Sequence, residues 1–213
     1  MDWTKIPAGV KNAAEQRLWV AFGNNADAVA NGINNDPDYL ARLVMFATST
    51  TKFVDEQSLL EAITTAEVPS IASFVAKEKF RSGKEIDGVK IYWLGDNFKE
   101  NFLNKKETDI APATLRIQKL KNSSLDTPIL AELGDKAETT MAHFWELLKQ
   151  QGSGQKGNLL VNGYANIAYI RDENGVLWAV CAYWSSGRDG WDVVADAVEC
   201  PDEWNADDQV VSR

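Results

Sequence analysis

The sequence predicts an α+β protein: an N-terminal short-helix part followed by a C-terminal antiparallel β-meander covered by a helix. Three observations carry this prediction. Capped segments with helical spacing fill the first eighty or so residues, the period changes to two after residue 88, and strand-like runs alternate with turn signals from Gly157 to Val198. The chain has 213 residues and is 45% hydrophobic, enough for one large domain or two small ones. We therefore expect a helical part over 1–84 and an α+β part over 85–213, with one continuous domain as the alternative.

The elements follow in order. In DPDYLARLVMFATS, Asp36 is placed to cap a helix with Pro37 in its first turn, and Tyr39, Leu40, Leu43, Val44 and Ala47 recur at helical spacing. DEQSLLEAI, with Asp55 as cap, and PSIASFVAKEKF, with Pro69 in the first turn, repeat that grammar. RSGKEIDG reads as a connection, and VKIYWL as a strand because Val89, Ile91 and Trp93 alternate with Lys90, Tyr92 and Leu94. GDNFKENFL predicts a short helix capped by Asp96 or Asn97, and APATLRIQKLKN a further helix, while TPILAEL fits strand or helix. AETTMAHFWELLKQQ predicts a helix with Met141, Phe144, Trp145 and Leu148 on one stripe, and QGSGQKG a flexible joint before the sheet.

The sheet can be registered from its turns. DENG suits a type I turn with Gly175 in a left-handed position, which opposes Ile170 to Trp178 and Ala168 to Val180. SSGRDG, closed symmetrically, opposes Trp184 to Trp191, Ala182 to Val193, Val180 to Ala195 and Trp178 to Ala197. One face then carries no charge, as a buried sheet surface requires, and the helix over 137–151 is its natural cover. Trp93 and Trp145 are expected to join the middle segment and that helix to the sheet. Trp184 and Trp191 read first as core, and second as a platform for a ring or partner side chain.

Composition excludes much. The start MDWTKIPAGV lacks the basic flank and apolar run of a secretory signal, and no apolar stretch approaches the roughly 20 residues of a membrane helix. The expectation is a cytoplasmic protein. Cys181 and Cys200 lie outside any CxxC spacing and read as plain thiols, and the only histidine, His143, rules out multi-histidine metal sites. His143 falls off the apolar stripe, near Glu146 and Lys149, and is expected on the surface. GSGQKG matches GxGxxG, but it follows a helix and precedes strands, the reverse of a dinucleotide fingerprint. No cofactor, metal ligand set or catalytic residue is expected.

Charge is unevenly placed. The net −9 divides into −4 over residues 1–76, +4 over 77–121 and −9 over 122–213, and the acids from Asp189 to Asp208 are uninterrupted by any Lys or Arg. Asp192 and Asp196 share a strand face, about 13 Å apart, too far to chelate one ion. Acids so concentrated point to a basic partner or to self-association, and disfavour nucleic acid.

WLGDNFKENF and LLVNGYANIAYIRDENGVLWAV resemble segments of an uncharacterised group of proteins from candidate-phylum bacteria, a resemblance that would cover most of residues 36–213. It implies a bacterial chain but no activity, cofactor or catalytic residue. The functional expectation is thus a non-enzymatic acidic protein that binds a protein partner, or its own copies, through Trp184, Arg188, Asp189, Trp191, Asp192, Asp196, Asp202 and Asp207. Two alternatives stand beside it: a carbohydrate-active or other hydrolase with carboxylates beside Trp184 and Trp191, and a nucleic-acid mimic that inhibits a basic enzyme.

Overall fold

A computed structural model describes residues 58–200 and 202–213, which belong to one compact unit, Gln57–Arg213. The helix predicted at Asp36–Pro37 and the Asp55 cap lie outside the described residues. Within them the protein is α+β, with ten strands and four α-helices. In chain order these are β1 (Leu60–Val68), β2 (Ile71–Val75), α1 (Ala76–Lys79), β3 (Lys84–Ile86), β4 (Val89–Leu94), α2 (Asp96–Phe102), β5 (Lys106–Ile110), β6 (Ala113–Leu120), α3 (Asp126–Leu133), α4 (Met141–Gln150), β7 (Asn166–Arg171), β8 (Leu177–Ser185), β9 (Gly190–Ala197) and β10 (Gln209–Ser212).

Eight strands form one sheet in the order β1-β6-β10-β7-β8-β9-β4-β3, and β2 pairs with β5 in a second. The pairing is antiparallel except for β10 with β7 and β4 with β9. The predicted meander is its centre: Ile170 opposes Trp178, Trp184 opposes Trp191 and Trp178 opposes Ala197. The sheet extends well beyond the predicted meander, because remote segments close both of its sides. Strands on both sides of residue 84 share it.

Burial on both faces explains the sequence of the central strands. In β7, Ala168 and Ile170 enter one core while Ile167 and Tyr169 enter the other, so NIAYI is apolar without alternation. The first face, with Val180, Ala182, Trp191 and Val193, carries the larger core. Helix α4 contributes Met141, Phe144, Trp145 and Leu148 to that core, as predicted. Phe80 packs on Trp145 and Phe98, with centroids 5.0 and 4.9 Å away. Helix α3 serves the second face through Ile129, Leu130 and Leu133.

Several local expectations are corrected. LEAI lies in β1, IASFV forms β2, and ATLRIQKL forms β6, where helices were predicted. Leu115 and Ile117 alternate inward on β6, although Ala113, Ile117 and Leu120 also fit helical spacing, and pairing with β1 decides between the two. Strand β1 hides its own period: its register shifts between Ala62 and Thr64, so Leu60 enters the second core while Ala66 and Val68 enter the first. TPILAEL resolves as α3. RSGKEIDG is no mere connection, since β3 and the Asp87-Gly88 turn lie in it. Trp93 pairs with Asp192 in the β4–β9 ladder, but its side chain is 45% exposed, and the side chains of Val89, Ile91 and Leu94 enter the core instead. Helix α2 is capped at Gly95, without a side-chain cap from Asp96 or Asn97.

His143 is buried, not on the surface, and its Nε2–H donates to the Ala111 carbonyl at 2.9 Å. Helix α4 touches β1, β5 and α1 as well as the sheet, so even its off-stripe positions are covered. Its N-terminus is capped twice: Thr140 Oγ1 accepts from His143 N at 3.1 Å, and the Glu107 carboxylate accepts from Met141 N and Ala142 N at 3.1 and 2.8 Å. Glu107→Ala is expected to cost about 1–2 kcal/mol, since a carboxylate at a helix start satisfies orphan amides and opposes the helix dipole. Urea denaturation would measure it, and an unchanged midpoint would show that the cap is dispensable.

Candidate functional site

The second sheet face is covered unevenly. Leu60, Leu120, Val210 and Ile167 share a core with α3, while Tyr183, Val194 and Val198 stay half-buried beyond it. Where α3 begins, a cleft of about 460 Å³ opens between the sheet and the loops at 162–164 and 202–205. Its described lining includes Asp126, Asp196, Asp202, Glu203 and Asp208, together with Tyr164, Tyr183 and Trp204, and no Lys or Arg.

Asp126 forms the floor. It is 2% exposed, and its Oδ1 accepts from Tyr169 Oη at 2.7 Å and Trp204 Nε1 at 2.8 Å. Burial pushes its carboxyl up and these two bonds pull it down, with the Glu199 charge adding to the rise; burial wins. Trp204 is held in turn by a two-way backbone bridge with Ser124, at 2.9 and 3.1 Å. Asp208 shapes the loop: Oδ1 accepts from Ala165 N at 2.7 Å and Oδ2 from Asn205 N at 2.8 Å, yet burial still raises it.

Asp196 stands on β9 opposite Ala179. Burial raises it first and the Asp126 charge second. Cys181 Sγ lies 3.5 Å from Tyr183 Oη and 3.9 Å from Asp196 Oδ2. Burial pushes the Cys181 thiol well up, so it is no thiolate nucleophile, and it pushes the Tyr183 phenol up as well. The cleft thus holds carboxylates whose ionised forms lack compensation from any described base.

A pH dependence follows. An aspartate raised by burial penalises folding at neutral pH, and the penalty disappears as pH falls through the raised value toward the ordinary 3.8. Asp172 has the opposite sign. Burial pushes it up, but amides of Val176 and Asn174 and the Trp178 indole outweigh this and hold it low, so its contribution is lost below about 3.8. Urea midpoints are expected to rise as pH falls from 7 toward the ordinary carboxylate value of 3.8 and to fall below it. A monotonic fall from pH 7 would refute the account of the cleft acids.

Of the eight residues singled out by sequence, the cleft brings together Asp196 and Asp202. Trp184 and Trp191 sit on the first face, 8% and 0% exposed, packed edge to face at 5.3 Å. Arg188 lies 4.8 Å over the Tyr92 ring and 3.5 Å from Asp192 Oδ2. Asp189 adopts φ +50 in its turn and pairs with Lys90 at 3.5 Å, and Asp207 pairs with Lys119 at 3.1 Å. Sequence reasoning missed Asp126, Tyr164, Tyr183, Trp204 and Asp208 as a group. One signal was present, the lone ring of Trp204 inside the acidic run PDEWNADD.

The GxGxxG segment is not a flexible joint. A side chain at Gly152 would strike the Gly88 backbone, one at Gly154 the Trp184 indole, and one at Gly157 the Gln151 side chain. Its glycines let the chain pass tightly over neighbours. Cys181 and Cys200 are free thiols, as read from sequence. Among the described residues no group of three or more His, Cys, Asp and Glu side chains is arranged to hold a metal ion, and no helix is long and apolar enough to cross a membrane. No family model matches the sequence, and neither a curated protein nor a solved structure matches the chain.

Proposed function

We propose that the protein is a non-enzymatic cytoplasmic interaction protein that binds a protein partner, or a second copy of itself, through its acidic C-terminal surface. The observation that carries this reading is the cleft, in which five carboxylates converge without a described base. Self-repelling, partly desolvated anions are costly alone and become favourable when a complementary surface covers them. Reversing charge at Asp192, Asp196, Asp202 and Asp207 is expected to abolish complex formation in pull-down and mass photometry. A protein that stays monomeric, binds nothing and is indifferent to those changes would remove the proposal.

A carbohydrate-active hydrolase is the second reading, favoured by one observation: Asp126 and Asp196 line a single cleft, and both are raised. The Asp126 charge opposes ionisation of Asp196, so the two carboxyls would lose their protons in turn, one serving as acid while the other is ionised. This moves the chemistry away from Trp184 and Trp191, whose buried rings offer a sugar no face. Turnover of chromogenic glycosides, lost in Asp196→Asn, would support it. The mimic of nucleic acid draws no support from regular spacing, since Asp189, Asp192 and Asp207 each stand beside a base on this chain.

A further inference from the structure

We propose that the open half of the second sheet face, with the cleft at its end, is the docking surface for an extended basic segment of a partner protein, one of whose arginine or lysine heads enters the cleft. This rests on the reading of the protein as an interaction module and names what that module recognises.

Charge complementarity selects the occupant. The cleft floor is anionic: Asp126 Oδ1 accepts from Tyr169 Oη and Trp204 Nε1, and its second oxygen has no hydrogen-bond partner among the described residues. Asp196 and Asp202 add charge at the wall, and no described Lys or Arg lines the cavity. A neutral apolar segment would leave these carboxylates buried and unpaired, at high cost. An acidic or phosphorylated one would be repelled. A cationic head has its charge met by the acids and lies beside the Tyr183 and Trp204 rings that line the same cleft, as cation–aromatic contacts favour.

The surface beside the cleft suits the rest of such a segment. Val194 on β9 and Val198 just past its end, both half-buried, provide apolar ground for the methylene stem that a long basic side chain lays along a surface. Trp93, 45% exposed, follows in line, since it pairs with Asp192 across β4 and β9. At the far end Arg188 is held on Tyr92 and Asp192. That fixed cation limits how far a basic segment can run, and so sets its direction toward the cleft.

The test uses the full chain and a fluorescein-labelled peptide of alternating arginine and glycine, with lysine and citrulline versions beside it. The arginine and lysine peptides should bind with affinity that falls as salt rises, and the uncharged citrulline peptide should not. Asp196→Asn with Asp202→Asn should weaken binding about tenfold or more, whereas Asp96→Asn with Glu100→Gln, the same charge change on α2, should leave it within about twofold. Amide shifts of the unaltered protein should move at Tyr183, Asp196 and Trp204 when peptide is added, which keeps the test independent of the variants. Equal weakening by both double variants would reduce the effect to general charge attraction and overturn the proposal. So would binding of the citrulline peptide, or shifts confined to other surfaces. If complexes form with a partner that the cleft variants do not disturb, the docking site is wrong while the interaction reading stands; if no complexes form at all, the interaction reading fails as well.

Discussion

Gly154→Ala is expected to destabilise the protein by about 3 kcal/mol or more, through two effects that add. Gly154 has φ +66, a backbone conformation that costs an L-residue about 1 kcal/mol. Its new methyl would also enter the space of the Trp184 indole, which packs edge to face on the fully buried Trp191. Overpacking of that kind costs about 1–3 kcal/mol. Gly187→Ala is the control, because a side chain there meets nothing within 4 Å. Guanidinium denaturation of the two variants gives the comparison. Equal midpoints would mean that the GSGQKG segment moves aside at no cost, and that its glycines do not serve the packing described here.

Asp126→Ala is expected to cost about 3 kcal/mol, and Asp126→Asn far less. The alanine variant leaves Tyr169 Oη and Trp204 Nε1 without their shared acceptor, and an orphaned buried donor costs about 1–3 kcal/mol. Relief of a desolvated carboxylate offsets part of this. Asparagine keeps a carbonyl oxygen for both donors and removes the charge that burial opposes, so its stability at pH 7 should approach that of the parent. Tyr169→Phe in the Asp126→Ala background should recover part of the loss, since it deletes one stranded donor. Melting curves of the parent, Asp126→Ala, Tyr169→Phe and the variant carrying both changes form a double-mutant cycle, and additive losses would show that Asp126 and Tyr169 are not coupled.

The meander was legible because its signals are local. DENG and SSGRDG fix loop lengths, loop lengths fix register, and a one-residue slip would have put charges into the charge-free face. The same local reading placed α4 and α2. It failed at β1, β2 and β6, which are strands with partners remote in sequence. LEAITTAEV carries a register shift that scrambles its alternation, and ATLRIQKL fits either period until β1 and β10 lie against it. His143 was misplaced for a related reason: amphipathic reasoning assumes one wet side, and α4 meets β1, β5 and α1 on the others.

The candidate site divides in the same way. Sequence by itself determined the acidic C-terminal part, the cross-strand pairing of Trp184 with Trp191, and the strand face shared by Asp192 and Asp196. Only the tertiary structure decided that the tryptophan pair is packed away while Asp196 meets Asp126, from a helix 70 residues earlier, and Asp202, Asp208 and Trp204 from a returning loop. The reason is range. A turn and a two-residue period act over a few bonds and can be read from neighbours, whereas a cleft arises where distant segments fail to cover one another completely. In this protein α3 covers one half of the second sheet face and leaves the other half, with its acids, open.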